Sequence, residues 1–120
     1  MNKNIDEYGF NQPALYADRL ITIRPEAITF RWYYFWGSKT VPLDVIKSVE
    51  SLEPTVLNGK WRIWGSSSPG GWMPLDWNRP SRDRIFLLHH KNKNFQIGFT
   101  AENSFLAENA FRQVGLLKTA

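Results

Sequence analysis

Residues 95–114, FQIGFTAENSFLAENAFRQV, change their hydrophobic period partway along, and that change decides the fold. In FQIGFT the large apolar residues Phe95, Ile97 and Phe99 alternate with Gln96, Gly98 and Thr100. Successive side chains of a strand point to opposite faces, so this stretch predicts a strand with Phe95, Ile97 and Phe99 turned inward. Beyond Thr100 the spacing becomes helical, with Phe105, Leu106, Ala110, Phe111 and Val114 forming the expected apolar stripe. Thr100 stands where an N-cap is expected, Glu102 would face the helix dipole, and Gly115 supplies the stop. A strand that runs directly into an amphipathic terminal helix predicts a helix that plugs the open end of a bent sheet.

The segments upstream fit that picture. AITFRWYYFW (27–36) alternates strictly, which places Ile28, Phe30, Trp32, Tyr34 and Trp36 inward and Thr29, Arg31, Tyr33 and Phe35 outward. LITIR (20–24) is a short strand stopped by Pro25, and Gly37-Ser38-Lys39 reads as a hairpin turn. Pro42 and Asp44 imply a brief turn before IKSVESL (46–52) becomes extended, and Asn58-Gly59 is a hairpin signal. RIFLLHH (84–90) is a buried strand, and KNKN (91–94) turns the chain. Between 65 and 82 no period is sustained, although a short strand is expected around Gly71 to Pro74. The sum is a mainly β chain of about six or seven antiparallel strands, as a strongly bent sheet or open barrel, with one C-terminal helix. Residues 1–15 read as an arm, 16–117 as a single domain and 118–120 as a tail.

Composition sets the outer limits. The chain has 120 residues, 42% of them hydrophobic and 15% aromatic, and it contains no cysteine. One core fits that length, and each buried ring removes roughly 150–250 Å² from water. Without cysteine there is no disulfide framework and no thiolate chemistry. The N-terminus lacks an apolar leader and no run approaches the ~20 residues of a membrane span, so a cytoplasmic protein is expected, with peripheral membrane contact left open. The net charge of +4 sits entirely in residues 79–93, where Arg79, Arg82, Arg84, Lys91 and Lys93 face one acid, Asp83. That cluster is either the footprint of an anionic partner or a solvated hairpin.

LITIRPEAITF, VPLDVIKSVE, GKWRIWG and FQIGFTAENSFLAENAF together resemble the bacterial pleckstrin-homology-like (PH-like) domains over residues 16–116. The resemblance implies their bent sheet capped by a helix, and a binding module rather than an enzyme. Lipid-binding members carry a Lys/Arg cluster in the loop joining the first two strands. Here that loop is Arg24-Pro25-Glu26, without a basic pair, so no ligand residue carries over.

Catalytic constellations are not expected. His89 and His90 are neighbours on a strand and point to opposite faces, so they cannot share a metal ion in the usual way. GSSSPGG (65–71) lacks the Gly-Lys-Ser/Thr ending of a phosphate loop, and Asp44, Asp76 and Asp83 are scattered. No cofactor motif is present. Four of the six tryptophans fall in 61–84, a stretch rich in Gly, Ser and Pro. Trp72 and Trp77, each close to a proline, are candidate exposed loop aromatics, and Trp77 has Arg79 nearby. They either form a binding platform or fold back as lids on the core. The expected function is a partner-binding module for a protein or for a second copy of itself. The alternative is an anion-binding module docking through 79–93 on a membrane surface, with nucleic acid ranked last. If Tyr33 and Phe35 were exposed, edge pairing would make the protein a homo-oligomer.

Overall fold

The computed structural model describes residues 13–34, 37–54, 64–67, 71–91 and 96–119. These form two sheets and a single C-terminal helix, and the sheets do not close into a barrel. The first sheet has the order β1-β2-β3-β4 and is antiparallel throughout: β1 (Tyr16–Ala17), β2 (Ile21–Ile23), β3 (Ala27–Tyr34) and β4 (Gly37–Pro42). A 3-10 turn, Leu43–Val45, leads into β5 (Ile46–Leu52). The second sheet then adds β6 (Gly65–Ser67), β7 (Gly71–Met73), β8 (Ile85–His90) and β9 (Gln96–Phe99). After α1 (Ser104–Gln113) the chain ends in β10 (Leu117–Thr119). This sheet is ordered β10-β5-β8-β9-β7-β6, with β10–β5 and β7–β9 parallel. The strands outnumber the six or seven expected because β1, β6 and β10 are two or three residues long. A period of two cannot be read from so few positions.

The core lies between the sheets and under the helix. Ile21, Ile23, Ile28 and Phe30 come from the first sheet, Phe86, Leu88, Ile97 and Phe99 from the second, and Phe111 from α1. Ile97 and Phe99 are inward as expected, whereas Phe95 lies outside the described residues. Gly98 is buried as well, because Met73 of β7 lies against it: a Cβ there would meet the Met73 Cε at 3.0 Å.

The helix starts and packs differently from its sequence pattern. Asn103 is the N-cap, its Oδ1 accepting from the Leu106 N–H at 3.0 Å, while Thr100 lies before the helix with its hydroxyl donating to Asp76. Glu102 therefore precedes the first turn. The buried face is Ser104, Ala107, Ala110 and Phe111, and Phe105 and Leu106 are exposed. Small residues face the sheet because α1 lies close on it. Gly115 does end the helix, at a φ of 77°. Leu116 N–H bonds Phe111 O and Gly115 N–H bonds Arg112 O, the paired bonds of a Schellman stop. Residues 118 and 119 then belong to β10, not to a tail, and at the other end Leu15 N–H already bonds Ile23 O.

The decisive irregularity is in β3. Phe30 pairs with Lys39 and Tyr34 with Gly37, so four steps along β3 match two along β4. Gly37, Ser38 and Lys39 are thus strand residues rather than a turn. Alternation slips within this bulge: Tyr33 turns into the core and Trp32 turns out to 45% exposure, the reverse of the expected faces. The carbonyls released from the ladder are taken up by distant groups. Leu75 N–H bonds Trp32 O at 2.8 Å, and the indole N–H groups of Trp72 and Trp64 bond Tyr33 O at 2.8 and 3.1 Å.

Candidate functional site

The bulge also opens a groove. One wall is Trp32 with Gly37 and Ser38 at the start of β4, and the turn after β7, Leu75 to Asn78, supplies another. Asp18 and Arg19, after β1, and Glu102, before α1, close the third side around a volume of 880 Å³. That lies in the range of small-molecule or side-chain pockets. The Leu75–Trp32 backbone bond fixes the second wall to the first, which brings Trp77 to the same groove.

Trp77 is 70% exposed. Neither it nor Trp32 makes a ring contact, and neither indole N–H is hydrogen-bonded, among the described residues. Trp72 behaves in the opposite way. It is half-buried, packs against the core, bonds Tyr33 O and lies 5.7 Å from the Tyr33 ring and 5.1 Å from the Trp64 ring. Of the two candidate loop aromatics, then, Trp77 is exposed and Trp72 is a lid. Trp61 and Trp36 lie outside the described residues.

The floor of the groove is an ion-pair network. Asp76 is buried and accepts from Arg82 Nε and Nη2 at 2.9 and 3.0 Å, from Asn78 N–H at 3.0 Å and from the Thr100 hydroxyl. Burial alone would raise its pKa, but the Arg82, Thr100 and Asn78 hydrogen bonds outweigh that and hold the carboxyl below its ordinary value. Glu102 is gripped by Arg19 through the backbone N–H at 2.9 Å, Nε at 3.0 Å and Nη2 at 2.8 Å. Hydrogen bonds from that backbone and side chain lower its pKa. Asp18 accepts from the backbone of Leu20, Ile21 and Glu102 and from the Tyr16 hydroxyl.

These contacts redistribute the basic segment. Arg79 is 1% exposed and donates to Pro74 O at 2.7 Å, and burial pushes its guanidinium down to about 10. It is an internal strut and no part of a surface patch. Arg82 holds Asp76, and Arg84 is tied to Glu53, to Ser51 and, at 3.7 Å, to Glu108. Lys91 is exposed, while Lys93 lies outside the described residues. The four described bases are therefore not brought together on one face. Arg19 was not singled out by sequence reading, because it is isolated from that run.

His89 pairs across strands with Glu50 at 2.7 Å. Among the described residues no group of three or more His, Asp or Glu is placed to hold a metal ion, and no helix is long and apolar enough to cross a membrane. Compared with known proteins, the chain matches no family model, no curated protein and no solved structure.

Proposed function

We propose that this chain is a non-catalytic binding module of PH-like architecture whose groove, flanked by Trp32 and Trp77, receives a protein partner. The observation that carries this reading is the pair of exposed indoles, which have no ring or hydrogen-bond partner among the described residues. Exposing a large aromatic surface forgoes roughly 1.5–3 kcal/mol of burial per side chain. Two such rings at one groove are the composition of an interface centre. The PH-like reading is supported by the order of the elements: a four-stranded sheet first, a second sheet next, and the helix near the end. The non-catalytic part is supported by the carboxylates of the groove. Asp18, Asp76 and Glu102 each have both oxygens engaged by arginine, hydroxyl or backbone donors, the pattern of structural carboxylates rather than of a poised acid or base.

Self-association through β3 has less support, since Tyr33 is buried and Phe35 lies outside the described residues. A photo-cross-linking amino acid placed at position 77 tests the proposal in the native cell. A discrete protein adduct is expected from position 77 and not from exposed Lys47 on β5. The adduct mass separates a second copy from a different chain. Absence of an adduct at 77, or equal labelling from both positions, would count against the module.

A further inference from the structure

Resting on that reading, we infer that the partner enters as an extended acidic peptide. Its main chain adds to the free edge of β4, and it sets a carboxylate on Arg19 and Arg82 with an apolar neighbour against Trp32 and Trp77.

The main-chain part follows from the register. Among the described residues β4 pairs with β3 alone, so its other side is an edge of the described first sheet. Leu43 N–H bonds Glu26 O, and Pro42, opposite Ala27, has no N–H to give. Hydrogen-bonded pairs in an antiparallel ladder alternate, so Ile28–Val41 is a bonded pair and Thr29–Thr40 is not. The N–H and C=O of Thr40 therefore point away from β3, while the C=O of Pro42, the N-cap of the Leu43–Val45 3-10 turn, is taken by that turn. Thr40 thus offers one donor and one acceptor to an added strand. Lys39, which could guard such an edge, instead sits 5.5 Å over the Tyr33 ring. The same strand begins at Gly37 and Ser38, which line the groove, so a peptide paired with β4 is carried directly into it.

The charge follows from counting lone pairs and donors. Three arginines and three carboxylates line the groove, and their formal charges cancel. Their hydrogen-bonding capacities do not. Every carboxylate oxygen already accepts. Arg19 and Arg82 each commit Nε and Nη2 and leave the Nη1 edge uncommitted among the described residues. Only Glu102 Oε1, which takes a single N–H, keeps acceptor capacity. A groove with more spare donors than carboxylate acceptors and two exposed indoles complements a carboxylate beside a flat apolar group.

The test is selection from a phage-displayed library of random peptides about ten residues long, followed by titration of the selected peptides as free synthetic chains. Selected sequences are expected to place Asp or Glu next to an aromatic residue or proline. Trp77→Ala should weaken them about tenfold or more, as for an interface hot spot. Arg19→Gln should weaken them less and flatten their salt dependence. Phe105→Ala, exposed on α1 outside the groove, should leave binding unchanged. N-methylation of the peptide at alternate residues should abolish binding for one alternating set only. Peptides that need Trp77 but show no acidic enrichment, or that tolerate N-methylation everywhere, overturn the inference and leave the module reading standing. No selected peptide, together with no adduct at position 77, ends both. Pelleting with phosphatidylglycerol vesicles that depends on Trp77, without peptide binding, overturns the inference in favour of a lipid surface.

Discussion

Two sets of aromatic residues in this molecule occupy opposite environments. Phe30, Phe86, Phe99 and Phe111 are fully buried and touch one another, with ring centroids 5.0 to 5.8 Å apart. Trp32 and Trp77 flank a groove, exposed to water and, among the described residues, without ring neighbours. Between them stand Trp64 and Trp72, whose indole N–H groups finish the β3 bulge. The difference is one of division of labour. The phenylalanines join two sheets and a helix, the middle tryptophans repair a broken ladder, and the outer pair contributes little to the fold and is left for contact.

The contrast is broken most forcefully at its centre. Phe99 touches Phe30, Phe86 and Phe111, so Phe99→Ala removes the ring that links both sheets to α1. A loss of about 3–5 kcal/mol is expected in urea unfolding. A loss below about 1 kcal/mol would mean that the aromatic cluster is not the keystone it is taken to be.

Asp76 comes next, since it joins the interior to the groove. Asp76→Asn leaves Arg82 without its anion and Arg79 buried nearby. The expected cost is about 2–4 kcal/mol, below the value for a fully buried pair because Arg82 keeps some access to water. The pH dependence has a definite sign. The folded-state pKa of Asp76 is depressed, so the folded protein binds fewer protons there than the unfolded chain. Its stabilisation is complete above the unfolded value near 4 and fades as pH falls through the folded value. Wild-type stability should therefore fall as pH drops below about 5 and keep falling through the depressed folded-state value, with a shallower fall in Asp76→Asn. Parallel curves would show that Asp76 is not the group that titrates.

How much of this was legible in the sequence depends on the length over which a pattern is written. β5, β8 and β9, the turn at Leu43–Val45, the short strand at Gly71–Met73 and the stop at Gly115 depend on local period or local chemistry, and each can be read from its own residues. The β3 bulge cannot. Its carbonyls are satisfied by Trp64, Trp72 and Leu75, more than thirty residues downstream, so Tyr33 and Trp32 look like ordinary members of an alternating strand. The fate of the basic segment was hidden for the same reason. A run of arginines reports charge density, and only the fold shows that Asp76, Glu53 and Glu108 are waiting for it. Trp77 was visible as a candidate, but Trp32, its neighbour across the groove, read as core.

The smallest expected effect is the sharpest test of the division of labour. Trp77 is, with Trp32, the largest side chain in the groove wall, and an indole that helped to hold the fold would cost several kcal/mol to truncate. With most of its surface in water and no described ring or hydrogen-bond partner, Trp77→Ala should change the unfolding free energy by no more than about 0.5 kcal/mol in either direction. The same substitution at Trp72 loses a bond to Tyr33 O and packing against the core, so it should cost clearly more. Equal costs at the two positions would mean that Trp77 is a lid like its neighbour, and the groove would lose its claim to be a site kept open for another molecule.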